Sequence, residues 1–270
     1  MKFKPTSKKD LKKLVDNLEI NLGDIDTSLI TDMSELFGYS TRTDFSGIEN
    51  WDVSNVTDMS EMFRGCDNFN QPLDNWDVSS VVNMSYMFRN CENFNQPLNN
   101  WDVSSVTDMG QMFAGCVSFN QDISKWNVSK VRGMLGMFSG CRNFNQPLDN
   151  WNVSNVISMG WMFQNATNFN QPLNNWNTSS LVYTNNMFQS CKKFNQPLNN
   201  WNVSRVIDMR GMFAHATNFN QPLNDWNVSS VTDMSYMFFK AEKFNQSLNN
   251  WNISRVRFTH NMFDGAESFN

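Results

Sequence analysis

The sequence predicts an α/β solenoid, a linear array of repeats that each contribute one short parallel strand and one short helix. A tryptophan recurs every 25 residues from position 51 to position 251 without an insertion, and a fixed period of about 20–50 residues is typical of such arrays. One repeat is too small to bury its own apolar face, so neighbouring repeats are expected to stack and share a core. The expected tryptophan ladder comprises Trp51, Trp76, Trp101, Trp126, Trp151, Trp176, Trp201, Trp226 and Trp251.

The strand and the helix are predicted from two apolar periods within one repeat. Residues 76–78 alternate apolar and polar side chains, which is the period of a strand near the tryptophan. Met84, Met87, Phe88 and Cys91 lie at i, i+3, i+4 and i+7, which is one face of a short helix. Stacking should align the same residue of every repeat, so a second ladder is expected. It comprises Phe63, Phe88, Phe113, Phe138, Phe163, Phe188, Phe213, Phe238 and Phe263.

The repeat also resembles a known family. The spacing L-x-x-W-x-V-x-x-V of residues 98–106 resembles the leucine-rich repeat pattern, and residues 106–119 resemble a stretch of BspA-like leucine-rich repeats. The whole unit is similar to the 25-residue F-N-Q-P-L-x-x-W-D-V-S-x-V-T-D-M-x-x-M-F repeats of mycoplasma lipoproteins, bacterial BspA-like surface proteins, and repeat proteins of some large DNA viruses and protists. The match covers about residues 25–270. This resemblance implies a right-handed, leucine-rich-repeat-like solenoid that serves in adhesion or protein binding.

Residues 1–24 are predicted to form an N-terminal capping helix. Leu11, Leu14, Val15 and Leu18 make one helical face, and the end face of a solenoid must be covered. The sequence offers Ser7 as the N-cap and Gly23 as a stop. A partner-binding helix is the alternative interpretation of this segment.

The rest of the chain is predicted to form repeats of one elongated domain. Residues 25–50 are a degenerate first repeat, with Ile25 in place of the tryptophan, and residues 51–270 form nine repeats, of which the last is incomplete. The uncovered strand edge near Trp251 is expected to allow self-association through the C-terminal edge.

Composition argues against several classes of partner. Charged residues make up 17% of the chain and the net charge is −5, so we expect no nucleic-acid partner and no recruitment to an anionic membrane. No apolar stretch approaches the length of a membrane span, and no signal peptide is recognised at the N-terminus. A cell-surface location stays open if a leader is missing from this chain.

The five cysteines recur at one repeat position, where other repeats carry alanine. A position that accepts either residue favours a small buried group, so reduced core thiols are expected and a disulfide ladder or metal site is the alternative. Free thiols favour an intracellular or virion setting. The cysteines are Cys66, Cys91, Cys116, Cys141 and Cys191.

Other chemistry-bearing residues give weak signals. Asp52, Asp77 and Asp102 share the second repeat position and should line up in a row, either as a solvated face or as a cation site. His215 and His260 fall at different repeat positions, so no catalytic arrangement can be assembled from them. We therefore predict no enzyme activity, no cofactor and no metal.

Aromatic residues on the variable side of the repeats are the candidate partner-binding residues. Tyr86, Trp161 and Tyr236 share the eleventh repeat position, and Tyr183 and Phe258 lie near it in repeat phase. Exposed aromatics on a polar surface are interface candidates, although scattered surface aromatics are the alternative. The predicted function is a non-enzymatic, protein-binding or structural scaffold with a protein partner of unknown identity. The alternative is a surface adhesin or glycan-binding protein of the BspA-like type.

Overall fold

The structure is a computed structural model that describes residues 2–269, so that the predicted limits at residues 1 and 270 lie outside the described residues. Its regular elements are one α-helix, α1 (Lys8–Asp16), and two 3₁₀ turns, Leu22–Asp24 and Ile48–Asn50. Within the described range, β pairing consists of isolated single-residue bridges. All of these bridges are parallel, and from Asp32 to Phe258 each joins one repeat to the next.

The backbone ties each repeat to both neighbours through two sets of hydrogen bonds. At the seventh position each N–H donates to the same position of the preceding repeat, as Val82 does to Thr57 at 2.8 Å. From the ninth to the fifteenth position, alternate N–H groups donate to the following repeat instead. In the Trp51 repeat these bonds are Met59 to Asn83, Glu61 to Ser85, Phe63 to Met87 and Gly65 to Arg89, at 2.7–3.0 Å. The array therefore has a direction, because the N–H groups of this segment point towards the following repeat and its carbonyl groups point towards the preceding repeat.

The short helix expected in each repeat is replaced by turns. An α-helix needs negative φ at every residue, but the eleventh and fifteenth positions are left-handed in every repeat, as at Tyr86 (φ 60°) and Asn90 (φ 61°). The segment therefore folds as successive i→i+3 turns, for example Met87 N–H to the Met84 carbonyl. These turns bury the same face that a helix would bury, which explains why the apolar spacing suggested a helix.

The parallel pairing also lies elsewhere than expected. A strand was predicted near the tryptophan, but the bridges between repeats fall at the eighth position, as at Asn83 and Asp108. The single bridge at the tryptophan position joins Ile25 of the degenerate first repeat to Phe3 of the N-terminal segment. The backbone N–H of Trp101 donates to the Leu98 carbonyl within its own turn at 3.1 Å, so it is not available to a neighbouring repeat. The handedness of the array stays a prediction.

Aromatic ladders fill the core. Ring centroids of the thirteenth-position phenylalanines follow one another at 5.5–5.9 Å from Phe37 to Phe263. A second phenylalanine ladder, from Phe69 to Phe269, has spacings of 5.8–6.1 Å. Every tryptophan of the ladder except Trp251 in the last repeat is buried. Each ladder tryptophan donates its indole Nε1–H to a leucine or isoleucine carbonyl of an earlier turn at 2.8–3.1 Å.

An asparagine ladder follows the outside of the second phenylalanine ladder. Each twentieth-position side chain accepts a hydrogen bond from the backbone N–H of the next such asparagine, as Asn120 does from Asn145 at 2.9 Å. The same contact recurs from Asn70 to Asn245. These bonds give partners to the backbone N–H groups of the twentieth position, which lies away from the β bridges.

The helix α1 packs on the first repeat. Ser7 Oγ accepts the N–H of Asp10 at 3.2 Å as the N-cap, and Leu11 and Val15 are buried. The helix ends at Asp16, earlier than the predicted stop at Gly23. The buried Arg42 guanidinium donates to the Val15 carbonyl at 3.0 Å, and this carbonyl would otherwise continue the helical ladder.

Candidate binding groove

The candidate aromatics at the eleventh position lie in an unusual backbone conformation. Tyr86, Trp161 and Tyr236 have φ values of 60°, 56° and 60°. A left-handed conformation costs a side-chain-bearing residue about 1–2 kcal/mol, and glycine or asparagine fills the position in several other repeats, such as Gly136 and Asn186. Because every repeat adopts this conformation at the eleventh position, a large aromatic residue there has a cost for folding that glycine does not have.

A groove opens beside Trp161 because small residues interrupt the row of larger ones. The turn is the same in every repeat, so the size of the side chains at the eleventh, fourteenth and fifteenth positions sets the surface relief. Gly115, Gly136 and Gly140 lie between walls that carry Arg89 and Trp161, and the cavity between them has a volume of about 510 Å³. Its remaining lining residues are Asn90, Gln111, Ala114, Leu135, Ser139 and Gln164. We call this cavity the Trp161 groove.

Trp161 differs from the other nine tryptophans. The ladder tryptophans spend their indole N–H on a main-chain carbonyl, whereas Trp161 makes no such bond to residues 2–269. Its ring is half-buried and forms one wall of the groove. It therefore offers a ligand both an aromatic face and a hydrogen-bond donor.

The opposite wall is held by stacking between arginine and tyrosine. The guanidinium of Arg64 lies 5.2 Å from the ring centre of Tyr39 and 5.8 Å from that of Tyr86, and the guanidinium of Arg89 lies 5.5 Å from the ring centre of Tyr86. Gln111 Nε2 donates to the Tyr86 hydroxyl at 3.3 Å. Tyr86 thus orients two residues of the groove, and the guanidinium of Arg89 can still donate hydrogen bonds to a ligand.

The groove continues into a second, more polar depression of about 870 Å³. The two share Asn90, Gly115 and Gly140. The second depression adds charged side chains and His215. Burial is the main cause that lowers the pKa of His215, and the positive charges of Lys240 and Lys192 lower it further. Because the groove and the depression share lining residues, the combined surface is large enough to contact several residues of an extended ligand.

The other candidate aromatics lie outside the Trp161 groove. Tyr236 is exposed and packs edge-on against Phe239 at 5.8 Å. Tyr183 is exposed at the eighth position, where its backbone bridges Ser158. Phe258 lies in the last described repeat, where even the ladder residue Trp251 is only partly buried, so the exposure of Phe258 does not by itself indicate an interface. Self-association through this end stays a prediction.

Sequence reasoning missed most residues of the groove. Arg89 and Gln111 are polar residues at variable positions, and nothing in one repeat distinguishes them. A signal was nevertheless present, because glycines concentrate in two neighbouring repeats, at Gly110, Gly115, Gly133, Gly136 and Gly140. A local loss of side chains on a repetitive surface indicates a depression.

The cysteines are core residues that also donate hydrogen bonds. All five thiols are buried and free, and each Sγ lies 2.8–3.1 Å from the phenylalanine carbonyl of the preceding repeat. Burial raises the pKa of Cys66 to about 12. These thiols are therefore protonated and poorly reactive near neutral pH.

The row of aspartates is used to shape turns. The Oδ1 atoms of Asp52, Asp77 and Asp102 accept backbone N–H groups two residues later at 3.0–3.1 Å. Hydrogen bonds from Ser79, side chain first and then backbone, lower the pKa of Asp77. Among residues 2–269, no group of three or more acidic, histidine or cysteine side chains is arranged to hold a metal ion.

The nine-residue α1 is the longest helix of the described chain, and none of its helices could cross a membrane.

Comparison with known proteins identifies the family of this chain. No curated protein matches the sequence. The family described as "Mycoplasma protein of unknown function, DUF285" matches residues 9–119, 96–197 and 173–270. These overlapping matches span nearly the whole chain, which therefore belongs to this mycoplasma repeat family.

Proposed function

We propose that the chain is a non-enzymatic solenoid scaffold that binds a polypeptide of a partner protein in the Trp161 groove. The observation that carries this proposal is Trp161 itself. It is a half-buried tryptophan in a left-handed conformation, with an indole N–H that bonds to no residue among 2–269. Tryptophan and arginine are the residues most enriched among binding hot spots.

The chemistry of the groove suits a peptide. Trp161 gives an apolar face, while its Nε1–H and the Arg89 guanidinium are donors that match peptide carbonyl or carboxylate oxygens. The glycine floor lets the backbone of a ligand approach closely. The cavity of about 510 Å³ falls within the range of binding pockets, roughly 300–1,000 Å³.

The alternative is a surface adhesin or glycan-binding protein of the BspA-like type. One observation favours it. The amide side chains of Gln111 and Gln164 line the same groove as Trp161, and an aromatic face beside planar amides can bind the apolar face and the hydroxyl groups of a sugar ring.

A random peptide library selected on the full chain tests the proposal. Counter-selection on Trp161→Asn should enrich peptides that bind the wild-type chain and lose about tenfold or more in affinity on the variant. Asparagine occurs naturally at this position in other repeats, as at Asn186, so the variant should fold. Tyr236→Asn is the matched control and should bind the same peptides normally.

Two results would oppose the proposal. The selected peptides could bind Trp161→Asn as well as they bind the wild-type chain, which would place binding outside the groove. Alternatively, a glycan array could give Trp161-dependent binding while the peptide library gives none, which would favour the adhesin function.

A further inference from the structure

A second surface differs from the Trp161 groove in its chemistry. It consists of the side chains at the fifth and seventh repeat positions from residue 126 onward. Five of them are basic and none is acidic, although the chain as a whole carries a net charge of −5. We call the basic residues the basic strip, and they are Lys130, Arg132, Arg205, Arg255 and Arg257.

The backbone aligns this surface along the array. The backbone N–H of Ile207 donates to the carbonyl oxygen of Val182 at 3.0 Å, and the N–H of Val182 donates to the carbonyl oxygen of Ile157 at 2.9 Å. Seventh-position residues of successive repeats therefore stand side by side. Ile157 and Ile207 are 43% and 37% exposed, so an aliphatic row of Ile157, Val182 and Ile207 lies on the same surface, between Arg132 and Thr232.

The strip ends in a pocket that concentrates positive charge. Arg205, Arg255 and Arg257 line a cavity of about 680 Å³ together with Ile207, Val256 and four serine or threonine residues, and no carboxylate lines it. The ion pairs of the described chain all lie within residues 4–64, so none of these arginines is neutralised by a carboxylate within 4.0 Å. Arg205 lies in an inner repeat and is exposed there, so the exposure of this surface is not peculiar to the end of the array.

We propose that the arginine pocket and the adjoining aliphatic row bind an acidic, partly apolar segment of a partner protein. Unpaired guanidinium groups favour carboxylates, which they can bind with two parallel hydrogen bonds. Ile207 and its neighbours add apolar contact, which a peptide can use and a uniformly charged polyanion cannot. The net charge of −5 also disfavours long polyanions of high charge density. This inference rests on the proposed scaffold function but uses a different surface.

The test uses the full chain and a defined probe, a short fluorescein-labelled peptide of alternating glutamate and leucine, followed by fluorescence anisotropy. The combined variant Arg205→Ser, Arg255→Ser, Arg257→Thr should weaken binding about tenfold or more. Serine and threonine occupy the same positions in the intervening repeat, as Ser230 and Thr232, so the fold should tolerate the changes.

A matched variant separates local from overall charge. Lys125→Ser, Lys193→Ser and Lys243→Ser together remove the same charge from exposed positions outside the pocket and should change affinity less than about twofold. Replacing glutamate by glutamine in the peptide should abolish binding, and Ile207→Thr should weaken it about threefold through lost apolar contact.

Several outcomes would overturn this inference. The wild-type chain could fail to bind the glutamate-leucine peptide, or the lysine variant could lose as much affinity as the arginine variant. Tighter, arginine-dependent binding of heparin or RNA would assign the pocket to a polyanion instead. If the peptide fails while library peptides still depend on Trp161, the proposed function stands and only this second surface is rejected.

Discussion

The indole Nε1–H of Trp101 donates a 2.8 Å hydrogen bond to the carbonyl oxygen of Leu73. The same carbonyl accepts the backbone N–H of Trp76 at 3.1 Å. One oxygen thus closes its own turn and holds the tryptophan of the next turn in place. Because this contact recurs along the array, the tryptophan ladder is directional as well as apolar, and each ring has a defined orientation.

Two substitutions of Trp151 should separate these contributions. Trp151 is buried, stacks on Trp126 at 6.5 Å and donates to Ile123 at 3.1 Å. Trp151→Ala should lower the free energy of unfolding by about 3–5 kcal/mol. Trp151→Phe keeps a ring and loses the donor, and since the Ile123 carbonyl still accepts the N–H of Trp126, the loss should be nearer 1–2 kcal/mol. Urea denaturation measures both values.

The same alanine variant should also change cooperativity. Coupling between repeats runs only through neighbours, and Trp151 lies near the middle of the array. We expect two unfolding transitions for Trp151→Ala, monitored by circular dichroism, and one for Trp151→Phe. A single transition at the wild-type midpoint for Trp151→Ala would show that the ladder does not couple the two halves.

Loss of the thiol at Cys116 should have a pH-dependent effect. Burial is the main cause that raises the pKa of this thiol, so the native state keeps the proton where the unfolded state, with a pKa of about 8.5, loses it. The stability contributed by this thiol is therefore complete below about pH 8.5 and declines above it by about 1.4 kcal/mol per pH unit.

The measurement compares Cys116→Ala with the wild-type chain. At pH 7.5 the variant should be less stable by about 1 kcal/mol, because it loses apolar volume and the contact with the Phe88 carbonyl at 2.9 Å. The difference should shrink and then reverse as the pH rises through about 9–10. If the difference in the free energy of unfolding between Cys116→Ala and the wild-type chain stays constant from pH 7.5 to about pH 10, the assignment of a protonated, buried thiol is contradicted.

Trp161→Asn should leave stability unchanged or raise it by up to about 1 kcal/mol. Asparagine tolerates the left-handed conformation of this position better than tryptophan does, and Trp161 has a φ of 56°. Thermal unfolding followed by calorimetry checks this expectation. A fall in stability of the size seen for Trp151→Ala would mean that Trp161 belongs to the core and would weaken the case for a binding role.

Removal of one rung of the asparagine ladder should be costly even at the surface. Asn145 Oδ1 accepts the backbone N–H of Asn170 at 2.9 Å, and Asn145→Ala would leave that donor unpaired at a cost of about 1–3 kcal/mol. Asn143→Ala, an exposed position two residues earlier, is the matched control and should change the free energy of unfolding by less than about 0.5 kcal/mol. Hydrogen exchange of the Asn170 amide should become faster in the first variant only.

The period and the residues of the core could be predicted from the sequence because stacking of identical units leaves little choice. The local backbone could not be predicted from apolar spacing alone, since Met84, Met87, Phe88 and Cys91 fit one helix face as well as a series of turns. The recurrence of glycine and asparagine at the eleventh and fifteenth positions did carry the missing information, because both residues tolerate positive φ. The Trp161 groove depends on side chains three repeats apart, and only the stacked structure brings Arg89 and Trp161 to the same cavity.

Alternate N–H groups of Met59–Gly65 donate to carbonyl groups of Asn83–Arg89 in the next repeat. This pairing limits how such a chain can evolve. Each repeat accepts this set of hydrogen bonds from the previous repeat and donates the same set to the next one. A duplicated coding unit therefore inserts a new repeat that fits without compensating mutations. A partial duplication would shift these groups out of register and leave backbone donors and acceptors unpaired. Array length can therefore change in whole units, while the surface side chains at the eleventh, fourteenth and fifteenth positions can change by point mutation without disturbing these backbone bonds.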